Sequence, residues 1–173
     1  SRRHARLSQV DDAELSFFLA ADFTPAAAAL IPASLPGTYL APEWQTLSPS
    51  DFGFHNALVT HEGKAVFVDF EYAGWDDPAK AVSDFFSHPA VPVPFDYFED
   101  FLNAALTFSS RPGMLAERTR LMLPVFQVKW CCIVMNDFLP ALWQRRRFAD
   151  PALDEASTKR TQLKKAYRLL ELI

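Results

Sequence analysis

The chain has 173 residues, of which 50% are apolar and 16 are phenylalanine, so it is long enough and apolar enough to bury a core. Its net charge of -4 disfavours nucleic acid as a partner, because contacts with a phosphate backbone need an excess of lysine and arginine. No uninterrupted apolar run approaches the ~18 residues of a membrane span. The adjacent Cys131 and Cys132 lack zinc-binding spacing, which predicts reduced core residues and a cytoplasmic protein.

The apolar periodicity near the N-terminus predicts a helix over residues 10–20, with Asp11 or Asp12 as its N-cap. Residues 24–49 are punctuated by five prolines. This stretch is predicted to be a loop-rich lead-in, with a short helix near residues 26–30.

Two short apolar runs rich in β-branched residues, 57–60 and 65–70, lie on either side of a polar turn and predict a β-hairpin. Beyond the hairpin, Asp77 and Pro78 have the N-cap and first-turn signature of a helix. That helix is expected to run to about Ser87, where His-Pro stops it.

The remainder of the chain is predicted to be helical. We expect an amphipathic helix over residues 95–108 and further helix over residues 114–147, restarted or bent at Pro124 and Pro140. Asp150–Pro151 is expected to open a last helix. Its predicted buried stripe consists of Leu163, Tyr167 and Leu170.

The segment SPSDFGFHN places Asp51 and Asn56 five residues apart, on the loop before the hairpin. With a turn centred between Glu62 and Gly63, Asn56 would face Asp69 at the open end of the strands, although a bulge would shift that register by one residue. Carboxylate and amide oxygens suit Mg²⁺, which keeps water and phosphates as its other ligands. The remaining acid is then free to accept a proton from a hydroxyl, as phosphoryl transfer requires.

The sequence SDFGFHN, followed by VFVDFEYAGWDDPAKAVSDF, resembles the catalytic and metal-binding loops of the aminoglycoside phosphotransferase and choline kinase-like family, relatives of protein kinases. In that family an Asp with an Asn five residues later forms the catalytic loop, and the metal-binding Asp ends the next strand. The resemblance implies a mainly α, protein-kinase-like C-terminal lobe with a small β-hairpin at the active site. The catalytic loop, hairpin and metal-binding loop would span residues 48–87.

By this resemblance Asp51 is the catalytic base, while Asn56 and Asp69 bind Mg²⁺ and, through it, ATP. Glu71 either lines the site or has a structural role. The implied reaction transfers the γ-phosphoryl group of ATP to a hydroxyl of a small-molecule acceptor. The sequence does not distinguish ATP from GTP, and it does not identify the acceptor.

Three features depart from the family pattern. Pro49 stands where the family usually has a histidine, and Ala81 stands where an acid is often found, with Asp84 further along. Nothing before Ser48 supplies the phosphate-binding loop and strand lysine of a kinase. We therefore expect residues 1–173 to be a single helical lobe and a fragment of a longer protein, with the N-terminal β-lobe not present in this chain.

The departures leave two other hypotheses open. One is a non-catalytic, pseudokinase-like module that binds a small molecule or a protein without a nucleotide clamp. The other is a stable core that forms a homodimer through an apolar face left uncovered by the absent lobe.

Three further residues have both a functional and a structural interpretation. His55 either takes part in the site or packs within its loop. Trp130 and Asp137 are seven residues apart on one predicted helical face, so they either line an acceptor pocket or belong to the core.

Overall fold

The computed structural model describes residues 2–30 and 40–173. The described chain is mainly helical with two small antiparallel sheets, which confirms the mainly α class. It divides into two compact units, of which the first contains residues 2–30 and 127–173 and the second contains residues 40–126. Part of the predicted lead-in, residues 31–39, lies outside the described residues.

The α-helices of the described chain are, in order, α1 (Arg2–Leu7), α2 (Ala13–Phe17), α3 (Thr24–Ala29), α4 (Pro78–Ser87), α5 (Phe98–Ala105), α6 (Pro112–Val134), α7 (Pro140–Ala149) and α8 (Glu155–Leu170). The strands are β1 (Thr46–Ser48), β2 (Ala57–Val59), β3 (Ala65–Phe67) and β4 (Gly74–Asp76). A π-helical segment, Phe18–Phe23, joins α2 to α3, and a 3₁₀ segment, Met135–Phe138, follows α6.

The first unit has a core of apolar side chains from its N-terminal helices, the end of α6 and α8. Asp12 caps α2 as predicted, because its carboxylate accepts the Leu15 N–H at 3.1 Å. A helix was predicted over residues 10–20, but the α-helix there covers only Ala13–Phe17, and a π-helical segment begins at Phe18. Fully buried members of this core are Leu7, Leu15, Phe18, Cys131, Met135 and Ala166.

The last helix begins later than the sequence predicts. Asp154 is its N-cap and accepts the Ser157 N–H at 2.7 Å, whereas Asp150 accepts the Ala152 N–H in the preceding turn. Both aspartates have a capping side chain, so the sequence alone favoured the one followed by proline.

The buried stripe of α8 is also different from the prediction. Leu163 is buried and Leu170 is partly buried against the same core, as predicted, but the other buried residues are Ala166 and Leu169, and Tyr167 is 38% exposed. The Tyr167 hydroxyl donates to Asp22 at 3.2 Å, and this contact holds the ring at the surface of the unit.

The second unit has a core rich in phenylalanine, formed by α4, α5 and the start of α6. Phe85 stacks on Phe101 with ring centroids 4.6 Å apart, and Phe86 meets Phe98 edge to face. The start of α4 is as predicted, because Asp77 accepts the Ala79 N–H at 2.9 Å and Pro78 occupies the first turn. Its end at Ser87 is as predicted too.

The helices that follow differ in extent from the prediction. α5 covers only Phe98–Ala105, with a 3₁₀ turn before it, and α6 continues through Pro124 instead of restarting there. The restart at Pro140 is confirmed. By length and composition the stretch Pro112–Phe138 could cross a membrane, although Gln127 and Lys129 interrupt its apolar run. Length and composition are weak support for a span, because core helices of globular proteins meet the same criterion.

The two sheets are both two-stranded. The predicted hairpin is present as β2 and β3, while the pairing of β1 with β4 was not predicted. The predicted register is wrong by one residue: Leu58 pairs with Val66 and not with Phe67. The predicted turn was centred between two residues, whereas the observed turn has three, and this difference shifts the register. Gly63 in this turn has φ 78°, and its N–H donates to the Thr60 carbonyl. A glycine in the left-handed region is what this type of hairpin turn requires.

Candidate functional site

The predicted catalytic residue Asp51 follows a sharp turn at the end of β1. The Asp51 N–H donates to the Pro49 carbonyl at 3.0 Å, and Ser50 between them has φ 70°. A bond between residues i and i+2 with positive φ at the centre defines the rare, strained form of the γ-turn. Such strain costs on the order of 1–3 kcal/mol and persists only where surrounding contacts fix it.

Lys80 supplies those contacts. Its ammonium group donates to the Ser50 carbonyl at 3.2 Å and lies 3.3 Å from the Ser50 hydroxyl. The same group lies 3.2 Å from an oxygen of Asp76 and 3.6 Å from an oxygen of Asp84. The lysine therefore connects the strained turn to the end of β4 and to the buried face of α4.

The first turn of α4 is held to α6 by a second ion pair within the same unit. Arg118 places its Nε and Nη2 atoms each 2.7 Å from one oxygen of Asp77, the residue that caps α4. Asp77 thus has the structural role predicted for it. Its capping bond and this pair fix the position of the helix that carries Lys80.

Asp51 and Asn56 are brought together as their spacing predicts. The side-chain amide of Asn56 donates to the backbone carbonyl of Asp51 at 3.0 Å, which closes the loop between them. The Asp51 side chain is 49% exposed, so its carboxylate is accessible to a small molecule.

Asp69 lies one residue beyond the position predicted for it. The Val68 N–H donates to the Asn56 carbonyl at 2.8 Å, so Val68 and not Asp69 is opposite Asn56. Asp69 itself has φ 64°, a left-handed conformation that Asp tolerates better than most residues and that ends the strand. The three-residue turn accounts for this shift, and the expectation that Asn56 and Asp69 pair directly is corrected.

Glu71 belongs to an exposed acidic group next to Asp69. A hydrogen bond to Glu71, together with its negative charge, raises the pKa of the Tyr72 phenol, and the charge of Asp69 adds a smaller effect. Glu71 is exposed and therefore open to solvent.

His55 packs at the base of the loop. Its Nε2 atom lies 3.3 Å from an Asp51 oxygen, and its ring stacks on that of His88 with centroids 3.6 Å apart and planes at 4°. Gly53 leaves the space for this ring, since a Cβ at that position would lie 2.7 Å from His55 Nδ1.

Trp130 and Asp137 belong to the first unit, and both are buried there. The Asp137 carboxylate accepts hydrogen bonds from Arg146 and, at 2.5 Å, from the Gln162 amide. Trp130 is 8% exposed and is part of the apolar core. These contacts favour the structural interpretation of both residues.

Two residues of the site, Lys80 and His88, were not predicted from the sequence. The signal for Lys80 is its spacing, four residues after Asp76 and four before Asp84, which places two acids beside it. His88 had been assigned only to the end of its helix.

No protein-family model, no curated protein and no solved structure matches this chain.

Proposed function

We propose that this chain is the helical, protein-kinase-like lobe of an ATP-dependent phosphotransferase of the aminoglycoside phosphotransferase or choline kinase-like type. The observation that carries the proposal is the closed loop in which the Asn56 amide holds the backbone of Asp51 at 3.0 Å. Asp51 accepts the proton of the acceptor hydroxyl, because its carboxylate is accessible and its loop is fixed on both sides.

The chemistry of two side chains, Asn56 and Asp69, fits Mg²⁺. Asn56 and Asp69 offer an amide and a carboxylate oxygen, the hard ligands that this ion prefers. When bound, the ion would neutralise the charge of the nucleotide phosphates. Asn56 also orients Asp51 through its amide, so its two side-chain atoms have separate tasks.

The assay is phosphoryl transfer from ATP by the full-length protein to a panel of sugars, aminoglycosides, choline-like alcohols and hydroxyl amino acids. We expect Asp51→Asn to lower turnover by about 10²-fold or more, because the general base is removed while the size of the side chain is kept. The control is Asp96→Asn, at an exposed acid of the same unit, which should leave turnover unchanged. Equal turnover of wild type and Asp51→Asn contradicts the proposal.

A second candidate function is a non-catalytic binding module. It is favoured by the apolar side chains that the hairpin exposes, with Leu58 60% and Val59 77% accessible. An exposed apolar surface of this kind is typical of an interaction site. One partner that could bind this surface is a second copy of the chain, which would give a homodimer. Light scattering distinguishes a dimer from a monomer, and phosphoryl transfer by the protein argues against the non-catalytic alternative.

We also propose a cytoplasmic location, with no membrane and no nucleic acid among the partners. The acidic net charge and the two buried cysteines, which form no disulfide, support this proposal. Fractionation of the host cell followed by detection of the protein is its test.

A further inference from the structure

The proposed catalytic base, Asp51, also belongs to a cluster with two histidines that the proposed phosphoryl transfer does not use. One potential ligand atom from each of Asp51, His55 and His88 lies within 4.8 Å of the other two. The three residues come from separate places in the second unit: the loop after β1, the 3₁₀ turn Phe54–Asn56, and the residue that ends α4.

The His55 ring has unsatisfied polar atoms. Both of its nitrogens are buried and lack a hydrogen-bond partner among the described residues. Nε2 is 3.3 Å from Asp51 Oδ1. The distance would allow a hydrogen bond, but the ring is not aligned for one, so the contact does not satisfy Nε2. Buried polar atoms without partners are unfavourable, so native proteins usually pair them with a protein group, a water or an ion.

We propose that Asp51, His55 and His88 form a binding site for a divalent transition metal of the zinc class. Two imidazoles and a carboxylate are a donor set suited to Zn²⁺. Three protein ligands leave a fourth position for water. Mg²⁺ would not compete effectively here, because it prefers oxygen ligands throughout.

The His55 and His88 rings are stacked with their planes at 4°, so one ring must turn out of the stack for both imidazoles to face one ion. Zinc–ligand bonds of about 2.0–2.2 Å in a tetrahedral site place ligand atoms roughly 3.3–3.6 Å apart, against the present limit of 4.8 Å. The Asp51 to His55 distance of 3.3 Å already meets this requirement. The Ala90 N–H donates to His88 Nδ1 at 3.3 Å, a long bond that orients the second ring.

The cysteines of the chain do not offer a competing site. Cys131 and Cys132 are both buried. Burial raises the pKa of the Cys131 thiol to about 12, so at neutral pH this group is not the thiolate that zinc binds.

The test is a calorimetric titration of Zn²⁺ into the chelator-treated protein without nucleotide. We expect one equivalent to bind per chain, and His88→Ala to weaken the affinity by at least about tenfold, since even loss of an indirect supporting contact costs 10–100-fold. The control is His61→Ala, a fully exposed histidine on the hairpin turn, which should bind as wild type does. No binding by wild type, or equal binding by His88→Ala, overturns the proposal.

A second variant covers the case in which His88→Ala does not fold. Gly53→Ala removes no ligand, but its new Cβ displaces the His55 ring, so this variant should also bind Zn²⁺ more weakly. Unchanged affinity in a folded Gly53→Ala protein would equally overturn the site. Excess Mg²⁺ should leave the zinc isotherm unchanged. Because no nucleotide or acceptor is present, the result is independent of the proposed phosphotransferase activity.

Discussion

The ammonium group of Lys80 lies among four oxygen atoms, two from Ser50 and one each from Asp76 and Asp84. Lys80 is 24% exposed, Asp84 only 3% and Asp76 38%, so the ion cluster is partly buried, with its buried end at Asp84. Its position explains how a residue with φ 70° is maintained directly before Asp51. Lys80 is therefore a positioning residue for the candidate base.

Replacing Lys80 by Met removes the cation beside a buried carboxylate while keeping most of the side-chain volume. We expect the free energy of unfolding to fall by about 1–3 kcal/mol, because the buried Asp84 carboxylate loses its ion pair with Lys80. Urea denaturation measures this change, and Lys80→Met/Asp84→Asn should recover part of it.

The control for that substitution is Lys64→Met. Lys64 pairs with Glu62 at 2.9 Å, but its side chain is 75% exposed, so its removal should change stability by less than about 1 kcal/mol. Equal losses for the two variants would show that Lys80 has no special role in holding the loop.

At the scale of single residues, the sequence predicts the pairing of Asp51 with Asn56 but not the contact from Lys80. The spacing of Asp51 and Asn56 was sufficient to place them on one loop, because the contact between them is local. The contact from Lys80 to Ser50 crosses thirty residues. Nothing in the local pattern around residue 50 indicates its partner.

The hairpin shows how one turn residue determines the position of a functional side chain. Gly63 adopts φ 78° in a three-residue turn, and this turn shifts the strand pairing by one residue. As a result Val68, and not Asp69, is opposite Asn56. Asp69 is then free to leave the strand in a left-handed conformation.

Gly63→Ala tests this turn. A Cβ there meets no other atom within 4 Å, so the only cost is the positive φ, and we expect a loss of about 1–2 kcal/mol in the free energy of unfolding. Gly113→Ala is the matched control: it too has open space around the new Cβ but lies inside α6. Its stability should stay the same or rise by up to about 1 kcal/mol. Losses of equal size at both positions, in thermal or urea denaturation, would contradict the left-handed turn.

Among the elements, those with strong local signals were predicted well. The Asp77–Pro78 cap and the restart at Pro140 follow from side-chain chemistry within a few residues. The pairing of β1 with β4 joins two three-residue strands that are distant in sequence. Strands this short have no periodicity for a pattern to detect.

At the scale of the whole molecule, the chain has two units with different chemical content. The closed loop with Asp51, the hairpin and Lys80 all belong to the second unit. Asp137 was a candidate to line an acceptor pocket, but its carboxylate accepts hydrogen bonds from Arg146 and Gln162 within the first unit. The residues of the proposed chemistry therefore all lie in the second unit.

Asp51 and Asp69 are proposed to have different tasks, the first in proton transfer and the second in magnesium binding. The measurement that tests this division of tasks most directly is calorimetric titration of ATP, with and without Mg²⁺, into the full-length protein and its Asp51→Asn and Asp69→Ala variants. We predict that Asp51→Asn binds Mg-ATP as wild type does, whereas Asp69→Ala loses the magnesium-dependent binding. Normal magnesium-dependent affinity in Asp69→Ala would contradict the account.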